Sequence, residues 1–497
     1  MRNPFRNILT VIAVLGCFFA LQSCNKEDRL NPKPSTLITS ETAFGSKERI
    51  LSQVNGLYSV LKAGRFLGSW YYIASDIRAG DFICTNLNAA TGATTYQLLT
   101  QTTTSEVVAT WQAGYQAINA CNVFIDGLNK TDAAIIDKAL SDNYLAEARF
   151  IRAVAYYNLL QLYARPYLDG AGSKPGLPLR LTGNTQPGNY DLARSSVKET
   201  YAQVLDDLDF AEQNLPEKYS SAFLNTIRAH KNSAIAFKTK VYLSMQDYVN
   251  VVVEADKMVT QDAPFYASSG VKNELQTDVR TVFQSPYTTS ESVFSVPFTA
   301  NDAPGIGLAE YYLPGKADGG TTASNGTGQY SLDPNGIIAD PFWSADDIRR
   351  KFIVKGTVSG KPWLFKFNQA SPYTDYAPVI RYAEVLLNLA EAIVKSSGTV
   401  DDRAIALLNA VHHRSDSGKL FAESDFADAG ELIDAILKER HIEFLGEGLR
   451  TADLMRLGLP IPAKPANAVP EAQPSAPNYI YPISSDELIL NKLMENN

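Results

Sequence analysis

Histidine is scarce in this chain, with 4 among 497 residues, so a metal centre built on imidazole has little material to work with. Cysteine is equally scarce, at 4, which rules out a dense disulfide framework. Basic residues are not in excess. Lys and Arg number 45 against 53 Asp and Glu, and the net charge of −8 argues against nucleic acid as the main partner. No phosphate-binding Gly-x-x-x-x-Gly-Lys loop, no Gly-x-Gly-x-x-Gly after a strand and no His-Glu-x-x-His is present, so nucleotide and zinc-hydrolase chemistry lack their usual carriers. His412 and His413 are neighbours on a helical stretch and diverge, which makes them poor co-ligands. Loop Asp and Asn residues show no Ca²⁺-loop spacing. The reading is therefore of a protein without metal or cofactor. Beyond the first two dozen residues, no run approaches the ~18 apolar residues that a membrane-spanning helix needs.

Tyrosine (25) and phenylalanine (22) are plentiful instead. At 45% hydrophobic and 20% charged, the composition is that of a globular protein. The length calls for one large unit or two intimately packed lobes. Arg2 and Arg6 followed by the apolar stretch 8–21 read as a signal peptide over residues 1–23. Leu21-Gln22-Ser23-Cys24 resembles a bacterial lipobox, which implies cleavage before Cys24, lipidation of Cys24 and anchoring without a membrane span. Lys26-Glu27-Asp28 resembles an acidic signal for the outer face of the outer membrane. Residues 24–40 read as lipidated Cys and tether. Cys84 and Cys121 remain, free to pair or to stay as buried thiols.

Helical periodicity predicts helices over 46–62, 106–128, 137–163, 196–214, 228–245 and 247–259. Their alternation with short turns suggests a mainly α, TPR-like helical-repeat scaffold, an α-α superhelix. Residues 70–92, rich in aromatics, Asp, Asn and Gly, read as a loop excursion. From 263 to 375 the rhythm stops, and short strands are expected at Val282-Phe283, 292–298 and 363–367 within a loop-rich, partly extended insertion. Helices resume at 376–395, 401–413, 431–457 and 485–494. In 376–395, Arg381, Glu384, Asn388, Glu391 and Lys395 share one polar stripe, and the rest is apolar. Such a helix belongs inside a stack. Glu384 is expected to reach Arg381, and Glu391 to reach Lys395.

The segment Arg381-Tyr382-Ala383-Glu384-Val385-Leu386-Leu387-Asn388-Leu389-Ala390-Glu391-Ala392 resembles the central helix of the SusD/RagB family of nutrient-binding lipoproteins. Leu408 to Val411 continues the match, with His412 where the family usually has Arg. Glu439-Arg440-His441-Ile442-Glu443, Glu447-Gly448, Arg450, Asp453-Leu454, Arg456 and Tyr481-Pro482-Ile483 complete it. Weaker echoes run through Trp111, Tyr115, Asn122, Glu147, Arg152 and Asp207. The resemblance implies one SusD-like domain over 41–497, with an N-terminal lobe at 41–262, a loop-rich part at 263–375 and C-terminal helices at 376–497. It also implies capture of oligosaccharide or polysaccharide at the cell surface and delivery to a SusC-like TonB-dependent transporter, with this protein as its lid and no enzymatic activity. Peptide cargo is the alternative from the RagB side of the family. A glycoside hydrolase or a protein-binding scaffold are further alternatives.

Sugar rings have apolar faces and polar rims, so a glycan site combines flat aromatics with Asp, Asn and Arg. On that ground the expected ligand residues are Trp70, Tyr71, Tyr72, Asp76, Arg78, Asn88 and Tyr96 from the first loop, and Tyr311, Tyr312 and Tyr330 from the central one.

Overall fold

The computed structural model describes residues 40–497; the leader, Cys24 and residues 25–39 of the expected tether lie outside the described residues. Helices dominate. The first half contains α1 (Lys47–Leu61), α2 (Trp70–Arg78), α3 (Ser105–Leu128), α4 (Lys138–Tyr163), α5 (Val197–Asn214), α6 (Lys231–Ser244) and α7 (Tyr248–Ala255). The second half contains α8 (Tyr382–Ser397), α9 (Asp402–His412), α10 (Ala429–Glu443), α11 (Arg450–Arg456) and α12 (Ser485–Leu490). Several starts carry a side-chain cap. Ser46, Asp137, Asp401 and Asp428 each accept from a backbone N–H of the first turn, and Ser196 forms a reciprocal capping box with Glu199.

Neighbours in sequence pack as neighbours in space. α3 lies against α1 and α4, α4 against α5, α5 against α6, and α6 against α7, which passes the stack on to α8, α9 and α10. The result is the TPR-like stack expected. α8 is enclosed by α6, α7, α9 and α10, and every residue from Tyr382 to Ala392 is buried. An apolar circumference has its physical counterpart there, because a helix covered on all sides needs no solvent face.

Among the described residues, six short strands, β1 (Phe82–Cys84), β2 (Ser292–Val296), β3 (Tyr330–Leu332), β4 (Ile353–Lys355), β5 (Pro362–Leu364) and β6 (Ala377–Arg381), form three antiparallel pairs, β1–β3, β2–β6 and β4–β5. β1–β3 clips the insertion to the segment after α2, β2–β6 joins its start to the chain leading into α8, and β4–β5 lies within it. Cys84 and Cys121 are both buried free thiols.

Four expectations need correction. Residues 70–78 are helix, not loop: α2 is buried on every face, so no polar stripe marks its period. Residues 377–381 are strand, not helix: Ala377, Pro378, Ile380 and Arg381 pair with β2, and the helix begins at Tyr382. Arg381 therefore does not sit on the helical face of Glu384. Glu384 pairs instead with Lys240 of α6 at 3.2 Å, and Glu391 with Arg456 of α11 at 2.5 Å. The helix expected over 431–457 is broken at Gly446 and Gly448, whose φ angles of +85° and +72° belong to the left-handed region. A Cβ on Gly448 would come within 2.8 Å of the Tyr72 backbone, so the break also lets α2 approach. Residues 279–283 form a 3₁₀ turn where an extended piece was expected.

The C-terminal helices are locked by buried charge. Glu443 of α10 accepts from Arg349, Arg381 and Arg414 at 2.9, 3.0 and 2.7 Å. Arg381 also reaches Glu291 and Glu447, and Lys366 closes on Glu447 at 2.9 Å. Burial pushes the Glu443 carboxyl up, but the Arg414, Arg381 and Arg349 charges outweigh it and hold it down from its usual 4.5 to about 2. A carboxyl held lower in the folded state stabilises the fold above its ordinary pKa, and that contribution is lost as pH falls through the folded value. Thermal unfolding should therefore show a midpoint that falls as pH drops from 4.5 towards 2. Glu443→Gln should cost about 3–5 kcal/mol near neutral pH and flatten that acid dependence. An unchanged pH profile in the variant would contradict the assignment.

Candidate functional site

The first and central loops do bring the expected site residues together, but in the interior. Trp70, Tyr71, Tyr72, Asp76, Arg78, Tyr96, Tyr311, Tyr312 and Tyr330 are all buried. Trp70 meets Tyr311 edge-on at 6.1 Å, Tyr311 stacks with Tyr330 at 6.1 Å, and Tyr330 faces Tyr96 at 6.0 Å. Tyr312 stacks on Phe82 at 5.0 Å and donates to Asp76 at 2.8 Å. Asp76 also accepts the Gly448 amide at 3.0 Å, and burial pushes its carboxyl well above the usual range. Arg78 donates to the Tyr479 carbonyl at 2.6 Å. Asn88 alone is exposed, and its side chain accepts the Ala90 amide of its own turn. These rings cement the insertion onto the helical stack. With their faces turned to one another, the seven rings offer no platform to a polymer outside, and Asp76 and Arg78 are buried with them.

A partly open aromatic surface lies on α3, where the half-buried Tyr115 stands beside Trp111, itself only 2% exposed. Trp111 and Tyr115, one helical turn apart, have ring centroids 4.8 Å apart and planes inclined by 36°. Tyr163 and Tyr156 of α4 meet them edge-on from below at 5.0 and 6.3 Å. Two further walls turn this ledge into a cleft of about 720 Å³. One is the Gly/Pro-rich segment after α4, carrying Arg180, Asn184 and Tyr190; the other is α12, carrying Asp486, Glu487 and Leu490. Tyr190 and Leu490 stand at the mouth, 38% and 79% exposed.

Side chains of α3 fix the first wall. Tyr115 donates to the Pro178 carbonyl at 3.0 Å, Asn122 to that of Arg180 at 2.8 Å, and Asn119 exchanges two bonds with the Asn184 backbone. Glu487 fixes the second wall by accepting from Arg180 at 3.0 Å, Asn491 at 2.7 Å and Trp111 Nε1 at 3.3 Å. Gln112 donates to Asp486 at 2.6 Å. The side chains of Gln116 and Asn184 make no hydrogen bond with any described residue and line the cleft with donors and acceptors to spare. Arg180, the cleft's cation, is already bound to Glu487 and to the Tyr190 carbonyl. The chemistry is an aromatic ledge, free amides and no free positive charge.

The sequence offered Trp111 and Tyr115 only as weaker echoes of the family resemblance within a predicted helix, not as site. The available signal was their spacing opposite a Gly/Pro-rich segment with its own tyrosine. Nothing in the sequence predicted that α12 would close the far side.

Among solved structures, one described as a SusD superfamily protein from Bacteroides fragilis is 30% identical to this chain. It covers 91% of this chain and 99% of its own length, with a TM-score of 0.79. This chain belongs to the SusD superfamily. A family model described as "Starch-binding associating with outer membrane" matches residues 30–243, and the SusD family model matches 361–497. The two matches place the SusD hallmarks on the α1–α6 stack and on the β5–α12 region. "SusD-like protein P25" of Formosa agariphila is 23% identical over 91% of this chain and 89% of its own. A structure described as a laminarin-binding SusD-like protein shares the SusD fold at 21% identity, with a TM-score of 0.70 over 91% of this chain and 99% of that one. Among the described residues of this SusD-superfamily chain, no helix is long and apolar enough to cross a membrane, and no group of three or more His, Cys, Asp or Glu is placed to hold a metal.

The two aromatic groups should behave oppositely on truncation. Trp70→Ala should lower stability by about 3–5 kcal/mol in chemical denaturation, as deletion of a large core ring does. Tyr190→Ala should stay within about 0.5 kcal/mol of the parent chain. A strongly destabilised Tyr190→Ala would place that ring in the core instead.

Proposed function

We propose that this SusD-superfamily chain is a glycan-binding surface lipoprotein whose ligand lies in the Trp111–Tyr115–Tyr190 cleft. The cleft itself carries the reading. Sugar C–H faces stack on rings, hydroxyls take amides, and this groove supplies both in a volume that fits a few sugar units. The laminarin-binding structural neighbour supports the class of ligand. The absence of a free cation in the cleft favours neutral over acidic polysaccharide, because Arg180 is taken by Glu487 and a uronate or sulfate would meet Asp486 without compensation.

The reading is capture rather than hydrolysis. Asp486 and Glu487 are consecutive residues on one wall, whereas a glycosidase places its two carboxyls on opposite sides of the bond it cleaves. Lipidation at Cys24 would hold the protein at the outer membrane, and delivery to a SusC-like transporter would follow from that position. Tethering raises the effective concentration of a lid beside its pore. Copurification from membranes without any β-barrel transporter would remove that part of the proposal while leaving the cleft untouched.

Affinity electrophoresis of the full chain against neutral and acidic polysaccharides, laminarin among them, tests the cleft. A neutral polymer should retard the protein. Tyr190→Ala combined with Gln116→Ala should weaken retardation on the order of tenfold, equivalent to about 1.4 kcal/mol. Retardation only by acidic polymers, or retardation indifferent to the double substitution, would overturn the assignment.

A further inference from the structure

Nearly every charged residue in the C-terminal motif closes an ion pair: Arg381, Glu384, Glu439, Arg440, Glu443, Glu447, Asp453 and Arg456 all do. Arg450 is the exception. Its guanidinium makes no hydrogen bond or ion pair with any described residue, and its Nε is fully covered without a partner. The covered Nε is closed to a ligand, but the half-buried side chain leaves the guanidinium without a protein partner.

Arg450 lines a second cleft, of about 630 Å³, which shares no lining residue with the aromatic one. The other two basic side chains there are already engaged: Lys438 holds Asp340 at 2.7 Å, and His441 lies 2.7 Å from Asp81. Burial raises the Asp81 carboxyl, but its contact with His441 and the nearby Arg450 guanidinium outweigh that and set it below its usual value. Asp434 stands exposed and unpaired at the edge. The rest of the lining is Asn335 at the exposed edge, Gly336 and Ala339, and the aliphatic Ile337, Leu437, Leu457 and Leu459. No Trp, Tyr or Phe is among the lining residues, so the cleft lacks the flat ring that a sugar face requires.

We propose that this cleft binds a small carboxylate bearing a branched aliphatic group, with Arg450 gripping the carboxylate and the leucines taking the side chain. A guanidinium presents parallel N–H donors that match a carboxylate, and branched apolar walls match a branched apolar group. An acylated leucine, or the last residue of a short peptide, has this chemistry. The inference stands apart from the glycan reading, since neither cleft needs the other.

Isothermal titration of the full chain with N-acetyl-leucine, acetate and glucuronate tests it. N-acetyl-leucine should bind at least tenfold more tightly than either comparator. Arg450→Gln should weaken that binding at least tenfold with an unchanged melting temperature, because Arg450 holds no structural bond. Leu459→Trp, which narrows the cleft and leaves the guanidinium in place, should weaken it as well. Failure of N-acetyl-leucine to bind, or binding unaffected by Arg450→Gln, would overturn the proposal. Glucuronate binding as tightly as N-acetyl-leucine would also overturn it and assign the cleft to acidic sugars.

Discussion

Glu443 and the three arginines around it set the geometry on which the C-terminal half depends. Arg349 comes from the insertion, Arg381 from the last residue of β6, and Arg414 from the turn after α9, so one carboxylate joins three segments remote in sequence. Glu291 ties β2 into the same cluster, Glu447 adds the Gly-rich break after α10, and His412 lies 2.7 Å from Glu439. Each ion loses several kcal/mol of hydration on burial, and only multiple charge-assisted hydrogen bonds offset that loss. The cluster therefore selects one arrangement of its segments more than it adds net stability. Any arrangement that leaves a charge unmatched is heavily penalised.

A second constraint acts at the other end of the insertion. The Trp70–Tyr311–Tyr330–Tyr96 cluster joins the buried α2 and the turns after it to the central loop, and Gly448 lets α10 and α11 approach α2. The insertion is thus held by charge on one side and by rings on the other. The closing segment has its own anchors: Tyr481 packs edge-on against Tyr163, and α12 is bound to α3 through Glu487 and Asp486. The second wall of the aromatic cleft depends on that docking.

Much of the scaffold was legible because helix periodicity and caps are local properties. α1, α3, α4 and α5 carry apolar stripes bounded by Ser, Thr or Asp, and their limits follow within a residue or two. α2 was not legible, since burial on every side erases the amphipathic signal. Nor was the strand at 377–381, whose pairing with β2 spans some ninety residues of intervening chain and overrides the helical run beside it. The site was harder still. Aromatics next to Gly and Asn in a loop have the same composition whether they face a sugar or one another, and Trp70, Tyr311 and Tyr330 face one another. Trp111 and Tyr115 looked like core because Trp111 is core and Tyr115 is half-buried; the cleft over them exists only because 178–192 and α12 stand off from it.

Hydrogen–deuterium exchange of the full chain, with and without a neutral polysaccharide that retards it, tests the placement of the glycan site most directly. The account predicts new protection at residues 180–192 and 485–491, the two walls around Trp111 and Tyr115, and none at 85–92 or 317–326. Protection confined to those latter loops would return the binding surface to the first and central insertions and contradict the account.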